Sequence, residues 1–517
     1  MSTLPLLSIL TALPLVGALA VLVIGAGCHI RARWMAFGFA LLSLTLILLI
    51  WHEFSSTSAS LQFVELVPWL SSLGIEYHLG IDGLGLLMLL LSAIVVPMAI
   101  LASSRLKEHA SLYFALMLLL QLGLFGAFTA LNFFHWFLFW ELSLIPAFFL
   151  IRLWGGPRRA PASTMFFVYT MVGSVTLLLS FLAIYLATGS FDFISLAALA
   201  HQHQLLPALA AHFSGATYSG ISPQRILLIL FWGAFLGFAV KVPIMPFHTW
   251  LPDTYAEAPS GVTMLLTGAM SKMGVYGFLR ILLPIFGEPM QWVHTPLMVL
   301  AVATIVLAPF AALVQKDLKR AFAYSSINHL GYCLLGIFAI AAPFGAAADK
   351  SSALAGVLLQ MFNHGLTAAA LFWFVALIEQ RSDGLRGIND FGGLRKPAPV
   401  FCGLMGIALF SSLGLPGLNG FVGEFLLFKG FFPLAPWASS ISLIALLTTA
   451  MLLLTILQRV FTGPVPERCA GWPDLTTAER IYLAPVIALM FVLGVYPQLL
   501  LGPLSTTIAD AVAKLSF

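Results

Sequence analysis

Apolar runs of about 20 residues recur along nearly the whole chain, separated by short polar stretches. Each is long enough to cross the hydrocarbon core of a bilayer as a helix. On that criterion the chain has about 14 spans. They lie near 4–27, 34–51, 81–102, 110–130, 132–152, 163–187, 224–247, 260–283, 294–314, 320–342, 352–378, 399–432, 437–460 and 480–503. The pattern predicts an all-α polytopic membrane protein. Two intervals interrupt it. Residues 52–80 form a long loop with Glu53, Glu65 and Glu76 and no basic residue. Residues 188–224 are rich in Ala, Leu and His and predict a short surface helix.

Composition closes off the soluble alternative. Of 517 residues, 60% are hydrophobic and 9% charged, and the mean hydropathy is +1.01. A soluble domain carries roughly 25% charged residues, so these charges are too few to coat a water-facing surface. The first run follows Met1 with no basic region and no A-x-A site, and reads as a first span, not a cleaved signal. Cys28, Cys333, Cys402 and Cys469 form no C-x-x-C pair, which argues against a metal site, an iron–sulfur cluster or a disulfide framework. "HQHQ" (His201 to Gln204) has no accompanying carboxylate or thiol and reads as solvated loop histidines. No G-x-x-x-x-G-K-[ST] is present, and "GIDGLGLL" lacks the strand that a dinucleotide fingerprint needs. The driving energy must come from a gradient or a partner protein. A net charge of +4 marks no nucleic-acid surface.

Where the basic residues fall tests the span count. Of 24 Lys and Arg, seventeen lie in alternate loops, from Arg31 to Arg480. The opposite loops hold only Arg225, Arg280, Lys350 and Lys514, while Lys241, Lys272 and Lys429 lie inside spans. A missed helix in mid-chain would scramble this bias. The positive-inside rule then puts both termini on the non-cytoplasmic side.

Two spans are broken in matching positions. "FAVKVPIMPFHTWLPD" (Phe238 to Asp253) places Lys241 just before Pro243 and Pro246. Five spans later, "SSLGLPGLNGFVGEF" (Ser411 to Phe425) interrupts a helix with Gly414, Pro416, Gly417 and Gly420 before Glu424. Such backbone survives at membrane depth only where it is buried in protein or lines a wet cavity. Paired breaks point to an internally duplicated transporter, and an odd offset makes the two copies inverted. The reading divides the chain into an N-terminal three-helix region (1–109), two inverted five-helix repeats (110–283 and 294–460) and a C-terminal helix (461–517).

Ionisable groups at similar depth complete the picture: Glu141 on the fifth span, Lys272 on the eighth, His329 on the tenth and His364 on the eleventh. A lone buried lysine or histidine is often structural. Six such groups in a chain that otherwise avoids charge are a set. Lys241, Lys272, Glu141 and Glu424 left unpaired would cost roughly 10 kcal/mol, so pairing, hydration or neutralisation must offset it. Burial penalises the charged form, which makes such groups exchangeable proton carriers. Lys429 and His135 lie nearer the span ends and read as structural. Asp253 reads as a cap of the eighth helix.

Together, "FAVKVPIMPFHTWLPDTYAEAP", "FWELSLIP" and "QKDLKRAFAYSSINHLGY" resemble the antiporter-like, proton-pumping subunits of respiratory complex I, most closely the M type of bacterial NADH–quinone oxidoreductase. The likeness covers nearly the whole chain. It implies that Glu141 pairs with Lys241, that Lys272 is a connecting lysine, that His329 and His364 lie on a central axis, and that Glu424 is the terminal site. The L and N types usually carry lysine at that last position. "DTYAEAPSGVTM" departs from the histidine-containing run commoner in the family, a subfamily mark. The resemblance implies a subunit of a proton-pumping translocase in a bacterial inner membrane, with no cofactor of its own. Its expected partners are other membrane subunits, including paralogous antiporter-like ones, with flavin, iron–sulfur clusters and quinone carried elsewhere in the complex. A cation/proton antiporter, or the ion-pumping module of a hydrogenase or carbon-uptake complex, is the alternative.

Overall fold

The computed structural model describes residues 4–213 and 221–515. Two peripheral helices, α1 (Leu6–Val23) and α2 (His29–Glu53), lead into a two-stranded antiparallel hairpin, β1 (Gln62–Leu70) and β2 (Ile75–Ile81). Then come α3 (Gly83–Ala102), α4 (Ala110–Thr129), α5 (Phe133–Trp154) and α6 (Arg159–Thr188). Two short helices follow, α7 (Phe193–His201) and α8 (Leu205–Phe213). The first broken crossing is α9 (Pro223–Lys241) with α10 (Trp250–Glu257). The next crossing comprises α11 (Ser260–Leu265), α12 (Ser271–Gly277) and α13 (Leu283–Ile285), joined through π-helical turns at Leu266–Met270 and Phe278–Leu282. After α14 (Gly287–Trp292) come α15 (His294–Leu313), α16 (Leu318–Ile340) and α17 (Ala347–Arg381). The second broken crossing is α18 (Pro399–Ser412) with α19 (Asn419–Leu434), and α20 (Pro436–Phe461), α21 (Thr477–Val495) and α22 (Gln498–Ala513) complete the chain.

Among the described residues twelve helices are long and apolar enough to cross a membrane. The segmented crossings α11–α13 and α18–α19 raise the number of crossings to the expected fourteen. Helix α17 is buried along its whole apolar window, and α16 nearly so, whereas α1, α2, α6, α20 and α21 present apolar faces outward. These two innermost helices are therefore surrounded almost wholly by protein.

Local chemistry sets the ends of several helices. Asp82 caps α3 by accepting from Gly85 N at 3.1 Å, and Asn132 caps α5 by accepting from Phe134 N at 3.1 Å. Ser222 precedes Pro223 at the first turn of α9, where the missing N–H costs nothing. Thr476 and Glu479 form a capping box on α21.

Three expectations about the element layout are corrected. Residues 52–80 hold the hairpin, not a plain loop; its strands expose Val64, Leu66, Val67 and Trp69, so no clean inside–outside alternation marks it. The last span ends at Val495, and α22 is a separate helix tied to the start of α3 by Gly83 N donating to Thr507 Oγ1 at 2.9 Å. The single surface helix expected in 188–224 is two, α7 and α8; residues 214–220 of that interval lie outside the described residues.

The hairpin, α7 and α22 gather on one side, the terminal face. His78 Nδ1 meets Asp192 Oδ2 at 2.8 Å there, and Arg280 is paired with Asp82. The opposite, basic face carries a charge network. Lys319 Nζ lies 3.1 Å from Glu379 Oε1, Ser260 Oγ donates to Glu379 Oε2 at 2.5 Å, and Arg386 Nε donates to Asp317 Oδ2 at 2.5 Å. Asp253, on α10, is ion-paired with Arg320 and does not cap the eighth crossing, whose first turn follows Pro259 without a side-chain cap.

Candidate functional site

The break after α9 leaves the carbonyl of Val240 without its usual helical donor, because Ile244 N turns back to Ala239 O. The indole Nε1 of Trp250 supplies the replacement at 3.0 Å, and Met245 N finds Thr304 Oγ1 at 3.1 Å. The prolines thus open the backbone, and buried side chains close its hydrogen bonds.

Lys241 ends α9 and is 4% exposed. Its Nζ donates to Ser143 Oγ at 3.2 Å and sits 4.1 Å from the centre of the Trp140 ring. A cation held against an indole face is worth about 0.5–2 kcal/mol, more as the site is drier. Glu141 lies between these two partners in sequence and is near enough to Lys241 for their charges to interact, without a hydrogen bond between them; its Oε1 has no hydrogen-bond partner among the described residues. Ser174 of α6 lies beside the Glu141 carboxylate and accepts from Trp140 Nε1 at 3.0 Å. Lysine and carboxylate therefore both border Trp140, coupled through charge and not through a direct hydrogen bond.

Lys272 lies between the two π turns. Such turns recur at functional sites and leave carbonyls available. Its Nζ donates to Thr267 O at 2.5 Å and contacts His364 Nδ1 at 2.8 Å. The His364 and His329 rings stand 5.1 Å apart, centre to centre. His329 Nδ1 is 3.2 Å from Glu424 Oε1, and its Nε2 is 3.3 Å from Ser412 Oγ. Four of the six expected residues thus form a continuous line from α12 through α17 and α16 to α19. All four are buried, Lys272 at 0% and Glu424 at 7% exposed.

Glu424 is placed by the second break. Helix α18 ends in a Schellman arrangement, with Leu415 N donating to Phe410 O at 3.0 Å and Gly414 N to Ser411 O at 3.2 Å. Gly414 adopts φ +80°, and a Cβ there would lie 2.6 Å from Glu424 Oε2. Glycine at this turn satisfies both the left-handed backbone and the approach of the carboxylate. Ser411, Asn419, Thr367 and Asn363 brace the break: Ser411 Oγ donates to Asn419 Oδ1 at 2.5 Å and Asn363 Nδ2 to Asn419 O at 2.7 Å. A cavity of about 10 Å³, the size of one water, lies among His329, Gln360, Asn363, His364, Ser412 and Glu424.

Among the described residues no hydrogen bond joins the Glu141–Lys241 pair to the Lys272 line. Where α9 meets α12 the contact is close and apolar: a Cβ on Gly274 would lie 2.4 Å from Val242 Cγ2, and one on Gly277 would lie 2.2 Å from Phe238 Cε1. Sequence reasoning missed Trp140, Ser143, Gln360 and Asn419, which position the ionisable groups. Asn419 could have been found from its place inside the Gly/Pro break. Trp140 and Ser143 flank Glu141 with nothing in composition to single them out. No group of three or more His, Cys, Asp or Glu with the arrangement of a metal site occurs among the described residues.

The family described as NADH:quinone oxidoreductase/Mrp antiporter, TM, matches residues 130–452. NADH-quinone oxidoreductase subunit M of Rhodobacter capsulatus is 35% identical over 96% of this chain and 95% of its own. F(420)H(2) dehydrogenase subunit M of Methanosarcina mazei is also 35% identical, over 96% and 95%. Among solved structures, a chain of respiratory complex I from Thermus thermophilus with bound NADH superposes with a TM-score of 0.83 at 27% identity, covering 99% of this chain and all of that one. A chain of the Mrp complex from Dietzia shares the fold, with a TM-score of 0.81 at 21% identity over 99% of this chain and 100% of its own. The broken crossings, the buried ionisable line and these matches over the full length of the chain place it in the NADH:quinone oxidoreductase/Mrp antiporter family, among the subunit M proteins.

Proposed function

We propose that this chain translocates protons as a membrane subunit of a complex I-type NADH–quinone oxidoreductase, through Glu141, Lys241, Lys272, His364, His329 and Glu424. The observation that carries this reading is the unbroken contact series Lys272–His364–His329–Glu424. In this reading protons reach Lys241 and Lys272 from the basic face, pass through His364 and His329, and leave from Glu424. Movement of Glu141 relative to Lys241 changes how firmly that lysine holds its proton and so switches loading. The Trp140 face and Ser143 keep the ammonium in place while the carboxylate moves.

The two breaks, five crossings apart, support an inverted pair of repeats over 110–283 and 294–460, flanked by 1–109 and 461–517. The bias of basic residues supports both termini lying outside the cytoplasm, and the bacterial relatives support an inner membrane as the site. We infer that flavin, iron–sulfur clusters and quinone belong to partner subunits, and that paralogous antiporter-like subunits sit beside this chain. The test is to replace Lys241 or Lys272 with alanine in the assembled complex and measure protons moved per electron in vesicles. A lowered ratio is expected; an unchanged ratio in both variants rules the reading out. A cation/proton antiport reading has one observation in its favour, the fold shared with the Mrp chain. Proton flux that follows an imposed sodium gradient without any electron donor would favour it.

A further inference from the structure

Helix α10 has only eight residues, yet each of its ends is fastened to the helices around Glu141. At its start, Thr249 Oγ1 and the Tyr169 hydroxyl of α6 are 2.7 Å apart, and the Trp250 ring lies 5.3 Å from that of Phe166, also on α6. At its end, Glu257 grips the turn between α5 and α6 twice. Its backbone oxygen accepts from Gly156 N at 2.8 Å, and its carboxylate Oε2 accepts from Arg158 N at 2.8 Å. Helix α6 has no side-chain cap of its own. The buried Glu257 carboxylate, reaching over from α10, takes up an N–H at the start of α6, where the partial positive charge of a helix end favours an anion.

The sequence of the turn makes this grip possible. A Cβ on Gly155 would lie 2.9 Å from Glu257 O, and one on Gly156 would lie 2.7 Å from Glu257 Oε2. Two glycines in a row let the carbonyl and the carboxylate settle directly on the turn. From the other side Arg386 holds the same end of α10. Its Nη1 donates to Ala256 O at 2.5 Å, and its Nη2 is 3.9 Å from Glu257 Oε1. Asp317 and Glu379 also hold that arginine, so its place does not depend on Glu257 alone.

The chain of contacts joins the two members of the first ionisable pair. Helix α5 leads from Glu141 to the turn, Glu257 joins the turn to α10, and Trp250 of α10 donates to the carbonyl of Val240, the residue before Lys241. Because the backbone is broken after α9, no continuous helix keeps α10 in line with Lys241. Nor does a hydrogen bond between Glu141 and Lys241 fix their separation. We propose that Glu257 is a positioning residue that sets the resting distance between Glu141 and Lys241 by bracketing α10 to the α5–α6 turn. This rests on the proposed role of that pair and adds the part that regulates it. Glu257 acts by accepting hydrogen bonds, and no proton passes through it.

The experiment measures proton flux against pH in vesicles holding the intact complex. The flux carried by this chain is taken as the part lost in Lys241→Ala. Glu257→Ala is expected to move the alkaline limb of that profile down by about one pH unit, because a more distant carboxylate holds the lysine's proton less firmly. Gly156→Ala pushes the carboxylate aside without removing it and is expected to shift the limb the same way, by less. Glu257→Gln keeps an oxygen for the Arg158 N–H and is expected to keep the parent profile. Parent-like profiles in Glu257→Ala and Gly156→Ala, with loss in Lys241→Ala, overturn the bracket and leave the proposed function standing. Lower flux with an unshifted limb marks a folding defect and also overturns it. A Glu257→Gln variant that behaves as Glu257→Ala does assigns the effect to the charge of the carboxylate and overturns the positioning role. Full flux in Lys241→Ala overturns both readings. Should Glu257→Ala fail to assemble, Gly156→Ala decides by the same criteria.

Discussion

The Nζ of Lys272 and the Nδ1 of His364 are 2.8 Å apart, on helices separated by 92 residues in sequence. An ammonium has three donors and no acceptor, so the contact needs a lone pair on the imidazole; with a neutral amine the roles reverse. Either way the pair holds one shared proton, and double protonation would set like charges against each other. Replacing His364 with glutamine keeps a partner for the lysine but removes the titratable ring. We expect proton flux through this chain to fall roughly 100-fold, with assembly unchanged on native gels. Flux within twofold of the parent would remove His364 from the line.

Gly414 offers a second, independent check. A methyl group there meets Glu424 Oε2 at 2.6 Å, and φ +80° strains any L side chain. Gly414→Ala is expected to cost about 1–2 kcal/mol in stability and also to displace the terminal carboxylate. Lower thermal stability of the purified complex together with reduced pumping is the expected result. A variant with both properties intact would show that the carboxylate is not held where the structure puts it.

At the first break the indole of Trp250 stands in for a missing backbone donor to Val240 O. Trp250→Phe keeps the ring and leaves a buried carbonyl unbonded, at a cost of about 1–3 kcal/mol. Reduced assembly or a lower unfolding temperature would register it. Trp250→His, which can donate a hydrogen bond, should recover part of the loss.

The dependence on pH can be read at Asp474, in the loop before α21. Burial raises the affinity of its carboxylate for a proton, but backbone N–H groups of Phe401, Leu475 and Val400 outweigh that, and with Arg480 nearby they hold it below the ordinary carboxylate value. Two of those N–H groups open α18, at 2.9 and 3.0 Å. A depressed folded value means the stabilisation is full above the unfolded value and disappears as pH falls through the folded one. Asp474→Asn, which weakens an N-terminal cap worth about 1 kcal/mol, should lower stability at neutral pH and flatten its acid dependence. Unfolding curves at several pH values would show it; parallel curves for parent and variant would contradict it.

Much of this was legible in the chain. Spans show because lipid demands long apolar runs, and the breaks at Pro243 and Gly414 show because proline and glycine interrupt such runs visibly. The π turns around Lys272 were not legible: their hydrogen bonds span one residue more than those of an α-helix, which leaves no mark in composition. The hairpin hid for a related reason, since both of its faces carry apolar residues and Pro68 sits inside a strand. Partner choice was the least accessible. Lys241 rests on Trp140 and Ser143 as well as feeling the Glu141 charge, and Asp253 pairs with Arg320 where a cap was expected. Each depends on how distant helices are rotated, which hydropathy does not encode.

Helix α17 has 35 residues and is about 52 Å long, against a hydrocarbon core of about 30 Å. It projects past the lipid at its ends, with Glu379 engaged by Lys319 on the basic face and Lys350 donating to Ala342 O near the terminal face. His364 rides near its middle. Because this rod is sheathed in protein along its apolar length, the imidazole halfway along it is surrounded by protein and kept from the acyl chains.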